Sequence, residues 1–145
     1  SFAFATAARI AFGAGRSAEL PGLVAEFGAR PFVCTGASPR RFAHLLDQLP
    51  EPATFAVAGE PNLDDIRAGV AAARDYGADV VIGLGGGAVL DAAKLIAALV
   101  PNPGDLLDYL EVIGSARPLE VPPLPFLASF ASKEPPEIAS VPFLL

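Results

Sequence analysis

The 145-residue sequence has no tryptophan and no methionine, one cysteine and one histidine. A lone Cys34 excludes an internal disulfide framework and fits a reducing compartment, so a cytoplasmic location is expected. One cysteine and one histidine, His44, are too few ligands for a Cys/His zinc site built from this chain alone. Basic charge is scarce as well. Ten Lys and Arg against 16 Asp and Glu give a formal charge of -6, which argues against an electrostatic grip on nucleic acid or an anionic membrane. Any anion must then be held locally, by backbone donors. No apolar stretch reaches the roughly 18 uninterrupted residues a membrane span needs. The opening SFAFATAARIAFGAG carries only Arg9 and has no basic region ahead of an apolar core, so it does not read as a signal peptide.

What is present is a globular composition, 52% hydrophobic with 18% charged residues, at one domain's length. A short strand is expected around Ala7 to Phe12. A helix follows over AELPGLVAEFG, with Leu20, Leu23, Val24 and Phe27 at helical spacing and Gly28 to stop it. RPFVCTG predicts a buried strand ending in Gly36. SPRRFAHLLDQL predicts a second helix, with Ser38 as N-cap and Pro39 at its first position. ATFAVAG is a third strand candidate. PNLDDIRAGVAAARDYGA is the clearest helix: Asp64 and Asp65 crowd its first turn, Ile66, Val70 and Ala73 share a face, and Gly77 closes it. DVVIGLGGG and AVLDAAKLIAALV complete the series as strand and helix, stopped by Pro101. Alternating strands and helices at crossover spacing predict an α/β fold, a doubly wound, mostly parallel sheet with flanking helices.

The last part breaks this rhythm. Nine of the 15 prolines lie in the final 45 residues, and PLEVPPLPFLASFASKEPPEIASVPFLL shows neither helical nor clean strand periodicity. Residues 118–145 are therefore expected to be irregular or extended. They are too apolar for a solvated tail, which points to packing on the domain or to contact with something else, such as a second copy.

VVIGLGGGAVLDAAKLIAAL joins a strand to a helix through three glycines. Beyond the carboxyl ends of parallel strands, a helix N-terminus presents unpaired N–H groups and the positive end of its dipole, which suits a pyrophosphate. Gly85, Gly86 and Gly87 either make a tight turn or remove the β-carbons that would keep an anion from the backbone. The stretch is neither GxGxxG nor a P-loop. Asp91 and Lys94 stand three apart on the same helix. They form either a solvated i,i+3 pair or, for Asp91, a group that fixes the glycine loop or a ribose or amide of a ligand.

This constellation resembles the iron-containing, or group III, alcohol dehydrogenase family, which is related to glycerol dehydrogenases, maleylacetate reductases and dehydroquinate synthases. GADVVIGLGGGAVLDAAKLIA carries the resemblance, supported by IAFGAG near the start, by Pro61 and Asn62 ahead of a helix, and by DLLDYL. The similarity spans roughly residues 7 to 127. It implies a Rossmann-like nucleotide-binding domain over 1–117, followed by a Pro-rich segment over 118–145. The implied activity is hydride transfer between NAD or NADP and an alcohol or carbonyl substrate.

By the same resemblance, Gly85, Gly86, Gly87 and the amide of Ala88 hold the pyrophosphate. Ala88 stands where relatives have Ser, Asp91 matches an acid near the cofactor, and Asn62 matches a position on the adenosine side. Gly36 stands where members that prefer NAD often place Asp, with Ser38, Arg40 and Arg41 close behind. NADP tolerance or preference follows as a hypothesis; the alternative is that the arginines form a solvated face.

The resemblance also implies a divalent metal, Fe or Zn, held by an Asp and three His of a helical second domain. That domain has no counterpart in these 145 residues, and His44 is expected to be a surface residue. After Pro123, Leu124 and Pro125 the family continues into a Pro-Thr-Thr-x-x-Thr-Gly-Ser-Glu stretch on the nicotinamide side, for which Ser129, Ser132 and Glu134 are poor substitutes. Truncation, a frameshift and divergence are the alternatives for this end. The chain alone is expected to bind cofactor without turning over, and a noncatalytic nucleotide-binding or self-associating protein is the alternative reading.

Overall fold

The computed structural model describes residues 20–109 and 118–130. The strand expected at Ala7 to Phe12, and any self-association through residues 131–145, lie outside the described residues. The elements are α1 (Leu20–Phe27), β1 (Pro31–Thr35), a 3-10 turn (Pro39–Phe42) leading into α2 (Ala43–Leu46), β2 (Ala53–Ala56), α3 (Leu63–Tyr76), β3 (Val80–Gly85), α4 (Gly87–Leu99), a second 3-10 turn (Leu106–Tyr109) and β4 (Phe126–Phe130).

All strand pairs are parallel, in the order β2-β1-β3-β4. The central strands β1 and β3 are buried at every position, as their unbroken apolar runs require, whereas the outer strand β2 alternates. Side chains of β3 divide by parity. Val81 faces Ile66, Val70, Ala73 and Ile96 of α3 and α4, while Val80, Ile82 and Leu84 face Leu20 and Val24 of α1 and Leu45 of α2. The fully buried Ile96 contributes about 1.5–3 kcal/mol by leaving water. A β-carbon on Gly83 would lie 3.0 Å from Leu90 and 3.2 Å from Ala93, so this glycine sets how closely α4 lies on the sheet.

Helix α3 is closed at both ends. The Asn62 side chain accepts from the Asp65 N–H at 2.8 Å and the Asp65 carboxylate accepts from the Asn62 N–H at 2.9 Å, a reciprocal box. Gly77, at φ 80°, ends it. At the foot of the sheet the Asp79 carboxylate accepts from the backbone N–H groups of Ala29 and Arg30, tying the entry of β3 to that of β1.

The carboxyl end of α4 is finished by groups distant in sequence. Pro101 has no N–H to offer the Ala97 carbonyl, and the Leu124 N–H takes its place at 2.9 Å. The Asn102 side-chain amide donates to the Ala98 carbonyl, and Arg74 of α3 donates to those of Leu99 and Val100. Asn102 is buried and uses its whole side chain: it also donates to the Val121 carbonyl and accepts from the N–H groups of Glu120 and Val121. These bonds fasten the proline-rich approach to β4 against the helix.

Two expectations are corrected. The segment 118–145 is not irregular throughout, because Phe126–Phe130 forms β4 and pairs along β3 from Val81↔Phe126 to Gly85↔Phe130. Pro118, Pro122, Pro123 and Pro125 precede the strand, where donors are not needed; Pro125 supplies only its carbonyl, to the Val81 N–H at 2.9 Å. Nor is SPRRFAHLLDQL one helix capped by Ser38. Ser38 makes no side-chain cap, and the regular spiral is interrupted at Phe42 (φ -114°, ψ 13°), leaving a 3-10 turn and a single α-turn. Only Leu45 of α2 is buried, too little apolar surface to hold a longer helix.

Candidate cofactor site

The connection leaving β1 passes over the face that carries α1 and α2, while the connection leaving β3 passes over the opposite face as α4. Neighbouring strands whose connections part in this way leave a crevice beyond their carboxyl ends, the usual ligand position in an open α/β sheet. A cleft of about 240 Å³ lies there. The segment after β1 lines it with Gly36, Ala37, Ser38, Arg41 and Phe42, and the end of β3 lines it with Leu84, Gly85 and Gly86.

The three glycines do different work. Gly85 has φ 157°, and a β-carbon on it would lie 2.9 Å from Val89, so it is required by packing of the strand end under the first turn of α4. Added β-carbons on Gly86 and Gly87 meet nothing within 4 Å. Gly86 occupies the N-cap position of α4 with extended backbone (φ -84°, ψ -172°), and no side chain caps the helix. The first N–H groups of an α-helix lack intrahelical partners, and the amides of Gly87 and Ala88 directly follow Gly86, the last residue of the turn to line the cleft. A dinucleotide's pyrophosphate fits this arrangement: donors, the positive dipole end, and space where side chains would intrude.

Of the other residues singled out by sequence, Gly36 and Ser38 line the cleft. Asp91 is exposed on α4, one turn in, and does not line it. Asn62 is committed to capping α3 and is likewise not in the lining. His44 is exposed on α2. Cys34 is buried in β1, and burial pushes its thiol up to about 12, so it is an inert core residue. Phe42 and Leu84 were not singled out by sequence; their contribution follows only from where the strand ends meet. Among the described residues, no three or more His, Cys, Asp or Glu side chains gather as a metal site would need.

A second cavity, about 150 Å³, lies between α3 and the 104–106 segment. Its charged groups are spent on the fold: Arg67 makes paired hydrogen bonds of 3.0 and 2.9 Å to the Asp105 carboxylate, and Arg74 holds the end of α4. Among the described residues, no helix is long and apolar enough to cross a membrane.

The family model for iron-containing alcohol dehydrogenase matches residues 7–129. The chain belongs to the iron-containing alcohol dehydrogenase family. A probable alcohol dehydrogenase of Escherichia coli is 53% identical over 49 residues, which are 34% of this chain and 12% of that protein. A probable NADH-dependent butanol dehydrogenase of Bacillus subtilis is 26% identical over 117 residues, covering 74% of this chain and 30% of its own length. The fold recurs in the crystal structure of an archaeal halo-thermophilic alcohol dehydrogenase from a Red Sea brine pool, with a TM-score of 0.72 and 21% identity over 86% of this chain and 34% of that one. It recurs too in sulfoacetaldehyde reductase from Bifidobacterium kashiwanohense in complex with NAD+, with a TM-score of 0.69 and 19% identity over 81% of this chain and 32% of that one. The chain spans about a third of the length of these solved relatives and less of the curated ones.

Proposed function

We propose that this chain forms the NAD(P)-binding part of an oxidoreductase that moves hydride between a nicotinamide dinucleotide and an alcohol or carbonyl substrate. One observation carries the reading: the uncapped start of α4, with open space around Gly86 and Gly87, faces the cleft between the diverging strands β1 and β3. The amides of Gly87 and Ala88 donate to the pyrophosphate oxygens, and Gly86 lets those oxygens approach the backbone. Gly85 acts at one remove, by holding the strand end beneath that turn. Asp91 lies far enough along α4 to steady the glycine turn or meet a ribose hydroxyl. Asn62 has its oxygen occupied by capping, which leaves only its amide N–H groups for the adenosine side.

The bound nicotinamide supplies the hydride acceptor or donor. The divalent metal of the family, Fe or Zn, is assigned to no residue of this chain. The 145 residues by themselves are therefore expected to bind dinucleotide without turnover. Calorimetric titration with NAD and with NADP tests the binding, and absence of heat with both removes the proposal. Metal-dependent reduction of an aldehyde by the purified chain overturns the noncatalytic part.

A further inference from the structure

The two walls of the cleft are unequally anchored. On the β3 side, eight of the 13 residues of α4 are buried, and β3 itself is buried at every position. On the β1 side, Ala37, Ser38, Arg41 and Phe42 line the cleft from a 3-10 turn with no buried residue, followed by an α-turn that buries Leu45 alone. Ser38 makes no side-chain cap, and the Arg41 N–H reaches the Ser38 carbonyl only at 3.4 Å. The next bonds are local too: the Asp47 N–H donates to the Ala43 carbonyl, and the Gln48 side chain to that of His44. Leu45 and Leu49, with Phe42 half-buried against them, seat this wall on the core formed with Leu20 and Val24.

A segment with few buried apolar contacts and local hydrogen bonds opens at a free-energy cost well below that of global unfolding. Here such opening has a use. At about 240 Å³ the cleft is smaller than the roughly 300–1,000 Å³ of pockets that enclose a small ligand. A nucleotide is enclosed only if one wall yields, and the β1-side wall is the lightly held one. We infer that residues 37–44 form a movable wall, hinged at Gly36 and anchored at Leu45, which swings aside to admit the ligand and packs against it once bound, while α4 stays in place. Gly36 suits the hinge, because a β-carbon there would meet only Val89, at 3.9 Å, and bare backbone absorbs a change of dihedral angle readily. The inference rests on the dinucleotide reading above and adds to it which wall moves.

Hydrogen exchange read by mass spectrometry tests it on the full chain, free and with saturating NAD or NADP, with calorimetry on the same samples reporting whether dinucleotide binds. In the free chain, the amides of residues 37–44 should exchange at least about a hundredfold faster than those of β1 and of the interior of α4. Bound dinucleotide should slow them by at least about tenfold, while α3 changes by less than about twofold. Protection of residues 37–44 in the free chain equal to that of β1 overturns the movable wall. So does binding heat without slowing in this stretch, or slowing spread evenly over β1 and α3; in each of these cases dinucleotide binding itself stands. Absence of heat with both dinucleotides removes the underlying reading, and the wall's role with it.

Discussion

Helix α4 has two unlike ends. At its carboxyl end the carbonyls from Ala97 to Val100 all have donors, two of them supplied by Arg74 and one by the side chain of Asn102. At its amino end no side chain caps the backbone, and the turn carries glycines whose missing β-carbons open onto empty space. Helix α3 shows that this chain can finish an amino end, since Asn62 and Asp65 close it reciprocally. The bare end is the one at the cleft. Backbone donors without protein partners persist where water or a ligand supplies the acceptor.

The strongest way to break the comparison is at the finished end. Asn102→Ala would take the side-chain partner from the buried Ala98 carbonyl and from the half-buried backbone groups of Glu120 and Val121, and should cost about 3 kcal/mol in urea denaturation. The affinity of the remaining folded protein for dinucleotide should stay within about twofold, because the cleft lies at the other end of α4. Gly86→Val works in the opposite sense. Stability should fall by no more than about 1 kcal/mol, the N-cap preference of glycine over valine, since an added β-carbon meets nothing within 4 Å, while dinucleotide binding weakens by at least about tenfold, a loss of about 1.4 kcal/mol, as measured by calorimetry. Unchanged affinity would show that the bare end is not the anion site.

The capped end of α3 sharpens the contrast. Asn62→Ala should lower stability by about 1 kcal/mol through loss of the box. A simultaneous loss of dinucleotide affinity would assign Asn62 a second role on the adenosine side. The smallest effect concerns pH. Hydrogen bonding to Arg67 holds the Asp105 carboxyl below its usual range, so the pair contributes stability above the ordinary carboxylate pKa that is lost as pH falls through the depressed value. Asp105→Asn should therefore flatten slightly the acid limb of a stability profile, and both side chains' exposure keeps the change small.

Much of this architecture was legible in the chain. Apolar runs at PFVCT and VVIGLG mark buried parallel strands because crossovers cover both faces, and Asp64, Asp65 and Gly77 bracket α3 by local chemistry alone. The glycine turn was legible as the junction of strand and helix, though its glycines divided: Gly85 is held by contact with Val89, whereas Gly86 and Gly87 are open. β4 was not legible. The prolines before it mask the start of an extended run, and its place depends on Asn102 and Leu124 meeting the end of α4, contacts that no local pattern records.

By itself the sequence determined the α/β class, the parallel strands, the caps of α3 and the bare turn before α4, all of which follow from residue types within a few positions of one another. Tertiary structure alone decided the order β2-β1-β3-β4, and with it the crevice where Gly36 and Gly86 face a common space. The reason is physical: backbone conformation is set locally, but a cleft exists only where separate strand ends are brought side by side, and burial of the shared core sets that placement.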